Sequence, residues 1–92
     1  MNYKVEHNAQ ECRFEVYIED LISEINYIKK GDVLVVTHTG VPNELAGQGI
    51  AAAMTKHMLE YAREHGLKIK PVCPYTEAYL VRHPEYGDVW AK

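Results

Sequence analysis

The sequence has no long apolar run and almost no cysteine. No stretch approaches the ~20 apolar residues that a membrane-spanning helix requires, so no membrane segment is expected. The first residues also lack the apolar core of a signal peptide. The two cysteines, Cys12 and Cys73, are too few for a disulfide scaffold, and we expect both thiols to be reduced. Together these absences predict a cytoplasmic protein.

Positive charge is also scarce. Ten Lys and Arg residues stand against 13 Asp and Glu residues, which gives a formal net charge of -3. This balance argues against the basic field that a nucleic-acid-binding protein needs. The five histidines show no metal-ligand spacing with one another or with the cysteines, so no metal site is expected. Repeats and long linkers are missing as well, and the length suits a single domain, residues 1–92.

The first part of the chain alternates between apolar and polar residues, a pattern typical of β-strands. Phe14, Val16 and Ile18 would share one face of a strand, and a second alternating run follows at residues 22–28. Residues 33–39 form the most apolar and β-branched run, which predicts a central strand buried on both faces. Residues 3–7 would add an edge strand.

A helical pattern follows at residues 48–65. Ile50, Met54, Met58 and Tyr61 repeat at helical spacing, and Gly66 sits just beyond the last turn, where glycine commonly ends a helix. This pattern predicts one long amphipathic helix.

The last part of the chain predicts a strand and a short helix. Residues 67–73 alternate, and residues 76–82 form a helical segment with Thr76 as its N-cap and Pro84 beyond its end. The predicted fold class is therefore α+β, an antiparallel β-meander followed by a β-α-β crossover. The element order is β-β-β-β-α-β-α.

The turn at residues 44–51, Glu-Leu-Ala-Gly-Gln-Gly-Ile-Ala, is the most informative segment. It connects the central strand to the long helix. The first N–H groups of a helix have no intrahelical partners, and the helix dipole places partial positive charge there, so this arrangement attracts phosphate. Gly47 and Gly49 would let a ligand approach the backbone. The alternative is that both glycines serve only to make the turn tight.

Three motifs, in order and each between the expected elements, resemble the Gcn5-related N-acetyltransferase family. They are His-Thr-Gly-Val-Pro at residues 38–42, Ala-Gly-Gln-Gly-Ile-Ala at residues 46–51 and Cys-Pro-Tyr at residues 73–75. The short chain is most similar to the small, truncated YjdJ-type branch of that family. The resemblance extends from about residue 14 to residue 86, and it implies a sheet whose central strands splay apart.

The resemblance also implies a coenzyme A site. The turn would supply backbone N–H groups to the pyrophosphate, and the edge of residues 37–41 would bond the pantetheine arm like an added strand. The first position of the turn motif is usually Arg or Gln, and here it is Ala46, which removes one supporting side chain. The implied coenzyme-binding residues are Thr39, Val41, Leu45, Ala46, Gly47, Gln48, Gly49, Ile50 and Ala51.

Three residues are candidates for catalysis. Cys73 ends the strand beside which the thioester would lie, and a thiolate there can attack an acyl group. Tyr79 matches the tyrosine with which many larger family members protonate the departing thiolate, with Tyr75 as the second choice. His38 has an ordinary pKa suited to a general base at neutral pH. Each of these residues has an equally simple packing explanation.

The resemblance implies an acetyl-CoA-dependent N-acetyltransferase whose amine acceptor is unidentified. Transfer would be direct or would pass through Cys73. The alternative is a coenzyme A-binding or protein-interaction module without turnover. We expect acetyl-CoA and an amine as the partners, no nucleic acid, no membrane, no metal, and a monomer or weak homodimer.

Overall fold

The computed structural model describes residues 3–91 and contains a five-stranded sheet with two α-helices and two 3₁₀ helices. The predicted order β-β-β-β-α-β-α is confirmed. The elements are β1 (Glu6–Asn8), β2 (Arg13–Ile18), β3 (Leu21–Lys30), β4 (Val33–Gly40), a 3₁₀ helix (Asn43–Leu45), α1 (Ile50–Glu64), β5 (Lys68–Pro71), α2 (Pro74–Arg82) and a second 3₁₀ helix (Pro84–Val89).

The sheet runs β1-β2-β3-β4-β5 in space as well as in sequence. The first four strands pair antiparallel as a meander, and β5 pairs parallel to β4 after the α1 crossover. The meander and crossover of the predicted α+β class are thus confirmed. The edge strand is shorter and later than expected, at Glu6–Asn8 rather than residues 3–7.

Both α-helices pack on one side of the sheet. Phe14, Ile25, Leu34 and Val36 are buried beneath them in one core, together with the apolar face of α1. We call the other side the outer face, defined by Ile22, Glu24, Asn26, Ile28 and Lys30 of β3 and the residues in register with them. No element of residues 3–91 covers the outer face.

The expectation that β4 is buried on both faces was wrong. Leu34 and Val36 are buried, whereas Val33 and Val35 are only half-buried because they lie on the outer face. The apolar run reflects β-branched residues that favour a strand, not a layer of helices on each side.

A β-bulge interrupts β4 at Thr37. Asn26 of β3 pairs with His38 and Tyr27 pairs with Val36, so Thr37 is the additional residue. Side chains alternate along a strand, and one extra residue reverses which of them face the helices. Before the bulge it is Leu34 and Val36 that face the core. Beyond it Thr39 does, because it pairs with the buried Ile25.

Helix α1 covers the sheet with an apolar stripe that includes the fully buried Met54 and Met58. Gly49 in the left-handed conformation is its N-cap. At the other end Gly66, with φ +67°, lets the Leu67 N–H bond the Ala62 carbonyl at 2.8 Å, which closes the helix as the sequence predicts.

Helix α2 begins earlier than the sequence indicates. Its N-cap is Cys73 rather than Thr76, and Pro74 occupies the first helical position. Proline suits that position because its fixed φ is already helical and its missing N–H would have no partner there. The shift by three residues matters for function because it places Cys73 at the N-terminus of a helix.

Candidate functional site

The site begins where β4 and β5 separate. Their parallel pairing ends at Val36 and Pro71, while β4 continues to Gly40. The N–H groups of Val72 and Cys73 both donate to the Val36 carbonyl, at 3.0 and 2.9 Å. These two hydrogen bonds to one oxygen turn the chain away from β4. Within residues 3–91, the β4 edge beyond Val36 therefore has no strand beside it.

The turn between β4 and α1 lies next to this open edge. Gly47 and Gly49 both have φ +79°, a left-handed conformation that favours glycine, and an added Cβ at either would meet no atom within 4 Å. The glycines are therefore required by the backbone conformation and leave open space above it. Both of the sequence interpretations, a tight turn and close approach of a ligand, fit this geometry.

The free N–H groups of the turn are fewer than the sequence implied. The N–H of Leu45 donates to the Pro42 carbonyl at 2.9 Å, and that of Ala46 donates to Asn43 at 3.2 Å. The first bond of α1 runs from the Ala53 N–H to Gly49, at 3.0 Å. Donors for an anion therefore come from residues 47–52, at the positive end of the α1 dipole.

A cavity of about 320 Å³ opens over this turn. It is lined by Val41, residues 45–47, residues 49–52 and Tyr75. Of the residues predicted to bind coenzyme A, only Thr39 and Gln48 lie outside this lining. The Gln48 carbonyl instead accepts a hydrogen bond from the Tyr3 hydroxyl at 2.7 Å.

Sequence reasoning missed Ala52 as a cavity residue and named Tyr75 only as a second choice for catalysis. Ala52 is in the first turn of α1, so the helix pattern itself could have indicated it. Tyr75 reaches the cavity because α2 starts at Pro74, and that start was placed too late.

We call the opening between the ends of β4 and β5 the gap. Cys73 lies on the side of the gap opposite β4 and faces the side chain of Thr39. Its Sγ is 3.4 Å from the Thr39 Oγ1, and only 6% of the residue is exposed. The bulge at Thr37 produces this contact, because without it Thr39 would point to the outer face.

The surroundings of Cys73 favour its thiolate. Burial raises the pKa of the thiol, but hydrogen bonds from the Thr39 hydroxyl and from the backbone N–H groups of Thr76 and Tyr75 outweigh it, so the pKa lies below its ordinary value. The positive end of α2 acts in the same direction. The Thr76 hydroxyl is fully buried here and has no partner that meets hydrogen-bond geometry among the described residues.

The two tyrosines of α2 differ in position. Tyr75 lines the cavity over the α1 turn, whereas Tyr79 lies one turn further along and shares with Tyr75 a separate cleft of about 40 Å³. Tyr79 stacks on His83, with 3.9 Å between ring centroids. Burial raises the pKa of both phenols, so both are protonated at neutral pH. The position of Tyr75 suits the role of proton donor better.

His38 is not brought to Cys73. It pairs with Asn26 on the outer face, and its side chain is exposed. The bulge accounts for this placement, since it sends Thr39 toward the helices and His38 away from them. Its role as a base stays a prediction without geometric support.

Residues 3–91 contain no group of three or more His, Cys, Asp or Glu side chains able to hold a metal ion. None of the helices there combines the length and apolar character needed to cross a membrane.

Comparison with known proteins finds one family across most of the chain. The model of the GCN5-related N-acetyl-transferase family matches residues 13–89. Protein NATD1 of Mus musculus is 29% identical over 85 residues, covering 88% of this chain and 76% of that protein. Its Homo sapiens counterpart is 28% identical, with 88% and 74% covered.

A solved structure is similar throughout. The NMR structure of a GCN5-like protein from Staphylococcus aureus superposes with a TM-score of 0.76 at 31% identity. The match covers 98% of this chain and 89% of that chain.

The Cys73–Thr39 contact leads to a prediction on thiol reactivity. In a Cys12→Ser background, the alkylation rate of Cys73 by iodoacetamide should rise with pH as the thiolate forms. Thr39→Val removes a hydrogen bond that stabilises the thiolate, so the pKa should increase and the rate profile should move to higher pH.

Thr37→Val is the matched control, because the Thr37 hydroxyl bonds the Asn26 carbonyl and not the thiol. An equal displacement of the profile in both variants would contradict the assigned role of Thr39.

Proposed function

Because the chain belongs to the GCN5-related N-acetyltransferase family, we propose that it binds acetyl-CoA in the gap between β4 and β5 and transfers the acetyl group to an amine. One observation carries the proposal. The cavity over the α1 turn reaches Tyr75 at the start of α2, and the unpaired edge of β4 runs beside it. A helix N-terminus, a strand edge and a thiol thus follow one another along one gap.

The pyrophosphate is proposed to lie at the N-terminus of α1. The N–H groups of residues 47–52 are donors there, and the helix dipole favours negative charge. Ala46 supplies no side-chain donor, so the backbone would hold the phosphates. In this proposal, binding depends on the conformation of Gly47 and Gly49 rather than on the Arg or Gln of the family pattern.

The pantetheine arm is proposed to lie along the β4 edge. Its amide groups would bond the free backbone groups of residues 37–40 as a short added strand. Val41 and Tyr75 would contact its apolar part, since both line the cavity. This path brings the thioester from the α1 turn toward Cys73.

Acetyl transfer is proposed to be direct, the usual route of the family. The amine nitrogen attacks the thioester carbonyl carbon, a C–N bond forms and the C–S bond breaks. The nitrogen loses a proton, and the departing thiolate gains one. Tyr75 is the proposed donor of that proton, because it lines the cavity and its phenol is protonated at neutral pH. Water is the proposed acceptor of the amine proton, because His38 lies on the outer face.

A second route is favoured by one observation, the lowered pKa of the Cys73 thiol at the N-terminus of α2. In this route the Cys73 thiolate attacks the thioester and the CoA thiolate leaves, which produces an S-acetyl cysteine. The amine then attacks that new thioester and regenerates the thiolate.

The binding site is tested with a glycine substitution. Gly47→Ala places a Cβ in the open space above the turn and strains a left-handed residue by about 1–2 kcal/mol. We expect acetyl-CoA affinity to fall about tenfold, which corresponds to ~1.4 kcal/mol. Isothermal titration calorimetry measures the affinity, and thermal unfolding measures the loss of stability.

Gly31→Ala is the matched control. Gly31 has φ +60° and equally open surroundings, but it lies in the turn between β3 and β4. The control should lose similar stability and keep its affinity. Equal affinities for wild type and Gly47→Ala would refute the proposed phosphate position. Binding of acetyl-CoA without transfer to any amine would contradict the proposed transfer and favour a coenzyme A-binding module without turnover.

The two routes are separated by intact-mass spectrometry after mixing with acetyl-CoA. Direct transfer predicts no acetyl adduct on Cys73 and continued activity in Cys73→Ser. An adduct that is lost when amine is added, together with loss of transfer in Cys73→Ser, would establish the covalent route. Cys12→Ser serves as the control, since Cys12 lies outside the site.

A further inference from the structure

The outer face of the sheet is charged at opposite ends. Glu6, Glu15 and Glu24 form one row across β1, β2 and β3, since each pairs with the next. This row is the acidic end. Arg13 bonds the buried Glu15 and also lies 3.8 Å from Glu24, so Glu6 is the accessible charge of this row that forms no ion pair among residues 3–91.

The basic end is made by Lys30 and Lys70. Lys30 pairs with Val33, and Lys70 pairs with Val35, at the opposite end of β3 and β4 from Glu24. Both lysines are exposed. Among residues 3–91, neither lysine forms an ion pair, and Glu6 forms none either.

Apolar side chains lie on the same face. Ile28 pairs with Val35, and Tyr17 pairs with Ile22. Ile28 is 52% exposed, Tyr17 49% and Ile22 40%, which are high values for large apolar residues on a sheet. They are adjacent pairs rather than scattered residues, and such grouping is typical of contact surfaces.

We propose that two copies of this chain associate through their outer faces, with the acidic end of each against the basic end of the other. A two-fold axis in the plane between the sheets places the acidic end of each copy on the basic end of the other. The same acidic–basic contact therefore occurs twice in the dimer. The inference does not depend on the proposed function.

The size of the face indicates a weak dimer. Strands of 3, 6, 10, 8 and 4 residues, with each residue rising ~3.3 Å and neighbouring strands ~4.8 Å apart, give a face of about 490 Å². A standard interface buries about 800 Å² on each partner. Charge pairs at the rim of such an interface are screened by salt, so association should weaken as ionic strength increases.

The test is sedimentation equilibrium of the full chain from about 10 µM to about 1 mM, at low and high salt, the range in which weak complexes dissociate. We expect a reversible monomer–dimer equilibrium that shifts to monomer at high salt. Glu6→Lys and Lys70→Glu should each weaken the dimer at least about tenfold, because each creates two like-charge contacts. The double variant should recover most of the affinity, since the two charges are exchanged.

Lys56→Glu is the control for the change in net charge, because Lys56 is exposed on α1, on the helix side of the sheet. It should leave the dimer unchanged. Circular dichroism melts verify that every variant folds. A monomer at all concentrations, or a dimer that the double variant does not recover, would overturn the proposal.

Discussion

The candidate site depends on the point at which β4 and β5 separate. Two paired strands satisfy each other's backbone groups along the shared edge. Here the pairing of β4 and β5 stops at the Val36 carbonyl, which accepts hydrogen bonds from the N–H groups of both Val72 and Cys73. One residue later the bulge at Thr37 reverses the faces of β4. The separation opens a strand edge, and the reversal directs Thr39 toward Cys73. Without the separation no strand edge would be open beside Cys73, and without the reversal Thr39 would not contact its thiol.

Two helix N-termini then act on the same gap. Helix α1 begins after two left-handed glycines and offers the N–H groups of residues 47–52, while α2 begins at Pro74 and stabilises the Cys73 thiolate. Each has a separate task in the proposed function, since α1 holds the phosphates and α2 faces the thioester. In this proposal, backbone groups at two helix N-termini serve both the phosphates and the thioester, with few charged side chains in the cavity.

Much of this was visible in the sequence because it depends on local pattern. The period of Ile50, Met54 and Met58 predicts α1, and the strand order follows from alternating runs and turn residues. The glycines at 47 and 49 mark the turn because only glycine adopts that φ without strain.

What the sequence could not predict depends on contacts between distant segments. The bulge at Thr37 is defined by pairing with β3, and no residue type at that position indicates it. The opposite placement of His38 and Thr39 follows from it. The uncovered outer face was missed for a similar reason, since Val33 and Val35 are apolar whether or not a helix covers them. Cys73 as an N-cap was missed because cysteine is uncommon there, although Pro74 was a usable signal.

We propose above all that acetyl-CoA occupies the gap between β4 and β5 and bonds the β4 edge. Amide hydrogen exchange of the ¹⁵N-labelled protein, with and without acetyl-CoA, measures this directly. We expect slower exchange on binding at residues 37–41 and 47–52, with little change in β1 and β2. Protection confined to other segments, or unchanged exchange along the β4 edge while acetyl-CoA is bound, would contradict it.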